Sequence, residues 1–320
     1  MQSFLNNQKS YPTTHHTMHQ GISEDIHDML PRLWGVNNWT RPDAPCNHPC
    51  SLMRSDLPKL RRREYVVGAK ADGTRAFLLF SFVEDPDTDY VALVDRAYTS
   101  NRIQVIAPPD FHSGTLLDGE LIVKPDGTSV YMVFDIIAMC GYPMRYKSHT
   151  ERYSEVLRVV NTIGSTPEFS IKAKPWFEMG SAGYTDIAAS IEPVPCDGLI
   201  FMPKHGHAIR TGRQVDHFKW KRAADHTIDF RVLDNALWVG EHGDSVAATL
   251  IGVESFTIPT ELGEVGDNEI VEFALVRGDN NLWKATAVRK RPDKIHPNDI
   301  RVAKLTLQNI DENISIGELA

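Results

Sequence analysis

Between Tyr65 and Phe80 the chain reads YVVGAKADGTRAFLLF, two apolar runs separated by a polar turn. Runs of this length, bounded by turn residues, predict strands at 65–70 and 76–83. The same pattern predicts strands at 89–95, 115–123, 129–138, 198–202 and 215–221. Ser148-His-Thr-Glu151 has the spacing of a capping box, and Tyr153, Val156, Leu157 and Val160 then recur at helical intervals, so a helix follows. Residues 183–191 predict a shorter one. After Asp225 the texture changes to short runs at 227–233, 236–241, 247–254, 269–276 and 282–290. Five short strands divided by Gly and Asp turns predict a small β-barrel of the OB type. Residues 299–320 read as helical with Leu305, Leu307 and Ile310 on the apolar side, whereas residues 1 to about 55 read as loop.

Composition narrows the class. The chain has 320 residues, 42% hydrophobic and 24% charged, which suits a globular protein of one large or two ordinary domains. No apolar run has the length of a membrane span, and the start lacks the basic-then-apolar pattern of a signal peptide, so an intracellular enzyme is expected. Cys46-Asn-His48-Pro-Cys50 lacks a second pair at finger-like distance and reads as ordinary loop rather than a zinc site. His15, His16 and His19 sit in a polar leader, expected to be disordered surface.

Net charge is −8, yet the basic residues are clustered. One group is Lys59, Arg61, Arg62 and Arg63; a second is Arg210, Arg213, Lys219, Lys221 and Arg222 against Asp216. A third is Lys284, Arg289, Lys290, Arg291 and Lys294 against Asp293. Basic clefts on an acidic body can focus a polyanion into one place.

Five segments carry candidate chemistry. Lys70-Ala-Asp-Gly-Thr-Arg75 puts an amine at the end of a strand, beside a turn where glycine lets a ligand come close. Leu117-Asp-Gly-Glu120-Leu offers a carboxylate for ribose hydroxyls, and Tyr131-Met-Val-Phe134-Asp an aromatic face for a base. Cys196-Asp197-Gly-Leu-Ile repeats the Asp-Gly strand start. In His217-Phe-Lys219-Trp-Lys221 alternation predicts both lysines on one strand face, where they can bind one phosphate.

In this order the segments resemble the covalent nucleotidyltransferase superfamily of DNA ligases, RNA ligases and mRNA capping enzymes, with Arg291-Pro-Asp293-Lys294 as its OB-domain element. His226-Thr-Ile-Asp-Phe230 and the stretch after Arg291 resemble the capping branch. The closing segment 309–319 is similar to the compact, stand-alone guanylyltransferases of large DNA viruses, the Chlorella virus type. The resemblance implies an α+β nucleotidyltransferase domain with antiparallel sheets over 1–225, an OB-fold over 226–299, and a terminal helix at 300–320 packing back on the first domain. It implies that Lys70 is the nucleophile toward GTP, with Lys219 and Lys221 at the α-phosphate. Arg75 and Glu120 would meet ribose, Phe134 would stack on guanine, and Lys174 would read guanine O6, with Lys172 as the alternative register. Arg291, Lys294 and Asp293 would act on the outer phosphates, Arg96 would be a further site cation, and Asp197 would pair with a lysine or meet Mg²⁺ or Mn²⁺. The implied partners are GTP and 5′-diphosphate RNA, with separate RNA triphosphatase and cap methyltransferase proteins, and the implied state is a monomer. Two other classes stay open: an ATP-dependent polynucleotide ligase and an inactive nucleic-acid-binding module.

Overall fold

The structure is a computed structural model, which describes residues 22–319 apart from 37, 42–43, 83–88, 206–207 and 279. The leader with His15, His16 and His19 lies outside the described residues. In chain order the elements are α1 (Ile22–Leu33), β1 (Asn47–Ser51), α2 (Leu57–Arg62), β2 (Tyr65–Ala71), β3 (Thr74–Phe82), β4 (Asp89–Val94), β5 (Ser100–Arg102), β6 (Ser113–Val123) and β7 (Ser129–Met139). Then come β8 (Tyr142–Pro143), α3 (His149–Thr162), β9 (Phe169–Ala173), β10 (Phe177–Glu178), α4 (Tyr184–Ala189), β11 (Cys196–Pro203) and β12 (Gly212–Trp220). The remainder is β13 (Thr227–Leu233), β14 (Ala236–Glu241), β15 (Asp244–Ala247), β16 (Val253–Thr257), β17 (Ile270–Arg277), β18 (Trp283–Lys290) and α5 (Ile300–Glu312).

These elements fold into two compact units. One holds the described residues up to Cys50 together with Arg62–Lys219; the other holds Ser51–Arg61 with Trp220 onward. The first contains two mostly antiparallel sheets, ordered β1-β12-β11-β2-β10 and β5-β4-β3-β6-β7-β8, with β9 running parallel to β7. The apolar run of β3 is unbroken because both faces of its sheet are covered. Phe77 and Leu79 pack with Ile26, Leu30, Leu33 and Trp34 in and after α1, while Ala76, Leu78 and Phe80 pack with Val156, Val159 and Ile163 in and after α3. The capping box at Ser148 forms as expected, its hydroxyl accepting from Glu151 N and the Glu151 carboxylate accepting from Ser148 N.

The N-terminal stretch read as loop contains α1, whose Ile22, Ile26, Met29, Leu30 and Leu33 have helical spacing despite the internal Pro31.

The second unit is built on one six-stranded sheet, ordered β15-β14-β13-β17-β18-β16, with β16 parallel to β18. The expected strand at 247–254 is corrected: β15 and β16 are separated by a single helical turn that ends at Gly252 in the left-handed region, φ 83°. The expected helix 300–320 stops at Glu312, where Asn313 adopts φ 41°. Its buried apolar positions are Ile300, Ala303 and Leu307, which join Phe230, Val239, Phe273 and Trp283 in the core of the second unit. The helix thus packs on the strands of its own unit. Leu305, placed on the apolar side from sequence, is 36% exposed.

Candidate active site

The polar cluster of the first unit is built on two β-bulges. Across β2 and β11, Ala69 faces Leu199 and Ala71 faces Cys196, so Lys70 alone stands opposite Asp197 and Gly198. Two residues against one is the signature of a bulge, which re-aims the side chains it carries. Gly198 takes φ 156°, and Asp197 turns to Lys70, whose Nζ donates to Oδ1 at 2.8 Å and Oδ2 at 3.0 Å. Both side chains keep about a quarter of their surface open, at 25% and 22%. The pair is thus held and reachable.

The second bulge lies between β6 and β7. Gly119 faces Val133 and Asp118 faces Asp135, which leaves Phe134 as the extra residue. Its half-buried ring lies under the Arg75 guanidinium, 5.3 Å from centroid to Cζ, and within 5.9 Å of Lys174 Nζ. Arg75 and Glu120 are directly opposed on β3 and β6.

Arg75 is tightly bound. Nε donates to Asp118 Oδ1 at 2.9 Å and Nη2 to Asp118 Oδ2, while Nη2 also reaches Asn47 Oδ1 at 2.6 Å and Nη1 reaches the Asn47 carbonyl. Four of its five N–H groups are thereby used. That geometry makes Arg75 chiefly a support for the Phe134 ring, with a single donor left for a ribose. Asn47, on β1, was absent from the sequence reading. Only the fold brings it to Arg75.

Lys174 is buried, 5% exposed, with Nζ 4.5 Å from the Trp176 ring centroid. Lys172, two residues earlier on β9, is exposed. Burial lowers the Lys174 ammonium to about 7, with Glu120 pulling the other way. Burial likewise raises the Glu120 carboxyl to about 7, against the pull of Lys70, Arg75 and Lys174. A site that strains both an amine and a carboxylate is arranged to receive charge from a ligand. Behind it, burial raises the Asp118 carboxyl despite Arg75. Asp135, equally buried, is held low by Arg152, whose Nε and Nη2 donate at 2.7 and 2.9 Å.

Glycines set the spacing. A methyl group at Gly68 would stand 2.9 Å from Lys174 Cε and Trp176 Cε3 and 3.0 Å from the Pro175 carbonyl. One at Gly73 would stand 2.6 Å from the Leu121 carbonyl and 2.7 Å from Glu120 Cγ.

The remaining expected residues are placed by topology. Lys219 lies on β12, next to the strand of Asp197, in the same sheet as Lys70. Lys221 does not share that strand: β12 ends at Trp220, and Lys221 falls one residue beyond, in the second unit. Arg96 is exposed in the turn after β4; Val94 faces Phe77, so the chain there runs toward the Arg75 end of β3. Arg291, Asp293 and Lys294 belong to the second unit. Arg291 donates to Asp229 at 3.0 Å and to Asp293 at 2.8 and 2.9 Å, and Lys294 also bonds Asp229. Bonding to Arg291 holds the Asp293 carboxyl down at about 2.

Cys46 and His48 approach at 3.2 Å, and Cys50 donates to the Gln214 carbonyl at 3.2 Å. Among the described residues no group of three or more His, Cys, Asp and Glu could hold a metal ion.

Comparison with known proteins now bears on this geometry. Residues 13–223 match the family described as mRNA capping enzyme, catalytic domain, and residues 213–320 match mRNA capping enzyme, C-terminal domain. A zebrafish (Danio rerio) mRNA-capping enzyme is 27% identical over 305 residues, covering 87% of this chain and 49% of that protein. The mRNA-capping enzyme subunit alpha of Schizosaccharomyces pombe is 25% identical, covering 88% of this chain and 80% of its own. The chain spans about half the length of the zebrafish and mouse relatives. A mycobacterial DNA ligase D structure complexed with ATP aligns over 78% of this chain and 94% of its own at 13% identity, with a TM-score of 0.44. Two adjoining family matches together cover the described strands and helices from α1 to α5, and the chain belongs to the mRNA capping enzyme family.

Proposed function

We propose that the chain is an mRNA guanylyltransferase working through a lysine–GMP intermediate. The observation that carries this reading is Lys70, held opposite a bulge by Asp197, in the same unit as a buried amine beside an aromatic ring. The Lys70 ammonium first gives up a proton, for which Asp197 Oδ1 at 2.8 Å is the near acceptor. The Nζ lone pair then forms an N–P bond to the α-phosphorus of GTP while the bond to the bridging oxygen breaks and pyrophosphate leaves. A terminal oxygen of a 5′-diphosphate RNA next attacks that phosphorus, the N–P bond breaks, and the amine regains its proton. GpppRNA is the product.

In this reading Phe134 stacks on guanine and Lys174 donates to O6. Glu120 and Arg75 face ribose, and Lys219, Lys221 and Arg96 face the α-phosphate region. Arg291, Lys294 and Asp293 meet the outer phosphates from a C-terminal domain of OB type. The donors on offer to a divalent ion are the two oxygens of Asp197, which bond Lys70 at 2.8 and 3.0 Å. Hard oxygen donors too few for a complete shell fit Mg²⁺ or Mn²⁺ shared with substrate phosphates. Such an ion would neutralise phosphate charge. On this reading an RNA triphosphatase activity supplies the 5′-diphosphate end and a cap methyltransferase activity acts on the product.

The test is incubation with labelled GTP or ATP and Mg²⁺, then denaturing electrophoresis. Label from GTP, lost in acid and kept in alkali, is expected. Label from ATP alone would replace this reading with a ligase, and no label from either with a binding module.

A further inference from the structure

Lys174 is anchored at both ends. Its backbone N–H donates to the Val133 carbonyl on β7 at 2.7 Å, and its own carbonyl accepts the Tyr153 hydroxyl of α3 at 2.7 Å. At the far end Nζ stands 4.5 Å from the Trp176 ring centroid. The stem between them passes the bare strand at Gly68, where a methyl would stand 2.9 Å from both Lys174 Cε and Trp176 Cε3.

Three aromatic rings join these two ends. Trp176 meets His149 at 5.0 Å between centroids with the ring planes at 82°, and His149 lies parallel to Tyr153 at 5.9 Å. Their i, i+4 spacing puts His149 and Tyr153 on one face of α3. A closed path thus runs from the Lys174 ammonium through Trp176, His149 and Tyr153 back to the Lys174 carbonyl, all within the first unit. Trp176 Nε1 is buried and has no hydrogen-bond partner among the described residues, so ring contacts, not the N–H, set its place. An unmade buried bond costs stability, and an indole kept at that cost is used for its face. Burial lowers the His149 imidazolium to about 4, against the pull of Asp135, which leaves that ring uncharged near pH 7.

A lysine stem is flexible, and a single ammonium is a point donor. A donor that can swing aside tolerates the amino group of adenine, whereas a fixed one opposes it. We propose that Trp176, His149 and Tyr153 are positioning residues that hold the Lys174 ammonium in place, and that the choice of base depends on this closed ring of contacts. The proposal rests on the guanylyltransferase reading for the role of Lys174 at guanine O6.

The test uses the full chain carrying Tyr153→Phe, Trp176→Leu or Trp176→Phe. Tyr153→Phe deletes one hydroxyl and keeps the ring on His149, so the fold stays filled; Trp176→Phe keeps an aromatic face under Nζ. The kcat/KM for adduct formation is measured with GTP and with ATP. Trp176→Leu is expected to lower the GTP-to-ATP ratio about tenfold, the scale of a desolvated cation–π contact. Tyr153→Phe should lower it about fivefold, the scale of one buried hydrogen bond, and Trp176→Phe should restore most of the ratio. The value for ATP should hold or rise while that for GTP falls. A merely structural role lowers both alike, so equal losses, or an unchanged ratio in Trp176→Leu and Tyr153→Phe, would overturn the proposal. Proton–carbon NMR of lysine-labelled protein without nucleotide separates this from the reading of the base. With Lys174→Ala to identify the signal, Lys174 Hε is expected upfield under the indole ring in wild type and near the exposed-lysine position in Trp176→Leu. A wild-type signal already at the exposed-lysine position would also overturn the proposal. If wild type forms no GTP adduct, or Lys174→Ala keeps the nucleotide ratio, the O6 reading falls instead, and the Hε signal still decides whether the rings hold the ammonium.

Discussion

At the scale of single residues the chemistry turns on which groups can change charge. Lys70→Ala is expected to abolish the lysine–GMP adduct, and Lys70→Arg to abolish it too, because guanidinium keeps its proton. A wild-type yield of labelled protein from Lys70→Ala would move the nucleophile elsewhere. For base choice the burial pattern separates two nearby lysines: Lys172 is exposed, whereas Lys174 is 5% exposed and near Phe134. An amine facing O6 accepts guanine and opposes the amino group of adenine. Lys174→Ala should therefore raise the GTP requirement and narrow the preference for GTP over ATP by roughly tenfold or more. Lys172→Ala should leave the ratio of kcat/KM values unchanged. The Glu120 carboxyl, raised to about 7 from 4.5, gives a stability signature as well. Between these values the folded state binds the extra proton, so this contribution is complete below pH 4.5 and is lost as pH rises to 7. Thermal melts of Glu120→Gln should lack that loss, and the variant should gain on wild type by roughly 3–5 °C between pH 5 and pH 7. A parallel pair of pH profiles would show that Glu120 is ionised at little cost.

At the scale of elements, regular strands were legible in the sequence and their irregularities were not. Tyr65–Ala71, Thr74–Phe82 and Ser129–Met139 follow apolar runs that need no partner to be recognised. Yet Asp197 and Phe134 owe their orientation to bulges, where period two fails and residue type alone does not say which strand takes the extra residue. Asn47 reaches Arg75 from 28 residues away, a pairing set by tertiary structure. Lys221 was misplaced by extending the alternation one residue past the end of β12. Gly68 shows the same dependence on packing. Gly68→Ala would press its methyl against Lys174, Trp176 and the Pro175 carbonyl, and the carbonyl cannot rotate away. Overpacking of this kind costs about 1–3 kcal/mol. The expected result is that loss in denaturant midpoint together with a higher KM for GTP. A change in midpoint with KM unaltered would mean that Lys174 does not touch the nucleotide.

At the scale of the whole molecule, the second unit takes up the chain from Trp220 onward. Ser51–Arg61 belongs with the C-terminal unit, where Asn309 Nδ2 donates to the Leu52 carbonyl at 3.3 Å, and α5 fills the core of that unit. Helical spacing reports which face is apolar, not which surface it meets. Within this unit Asp229 is 5% exposed and receives both Arg291 and Lys294. Asp229 gathers Arg291 and Lys294 into one charged centre, and Arg291 is held charged by Asp293, Asp229 and Glu272. On the guanylyltransferase reading this centre serves the step in which negative charge builds on pyrophosphate. That charge exists only while GTP is the donor, since the second step releases no pyrophosphate. Arg291→Ala and Lys294→Ala should thus slow formation of the lysine–GMP adduct by about 100-fold or more, the scale of one lost transition-state donor. Transfer from preformed adduct to RNA should fall much less. Rapid-quench measurement of the two half-reactions decides the matter, with circular dichroism of the same variants to show that Asp229, left with one cation, still sits in a folded unit. Equal losses in both steps would assign Arg291 and Lys294 to the RNA end, and no loss in the first would leave them as structural partners of Asp229.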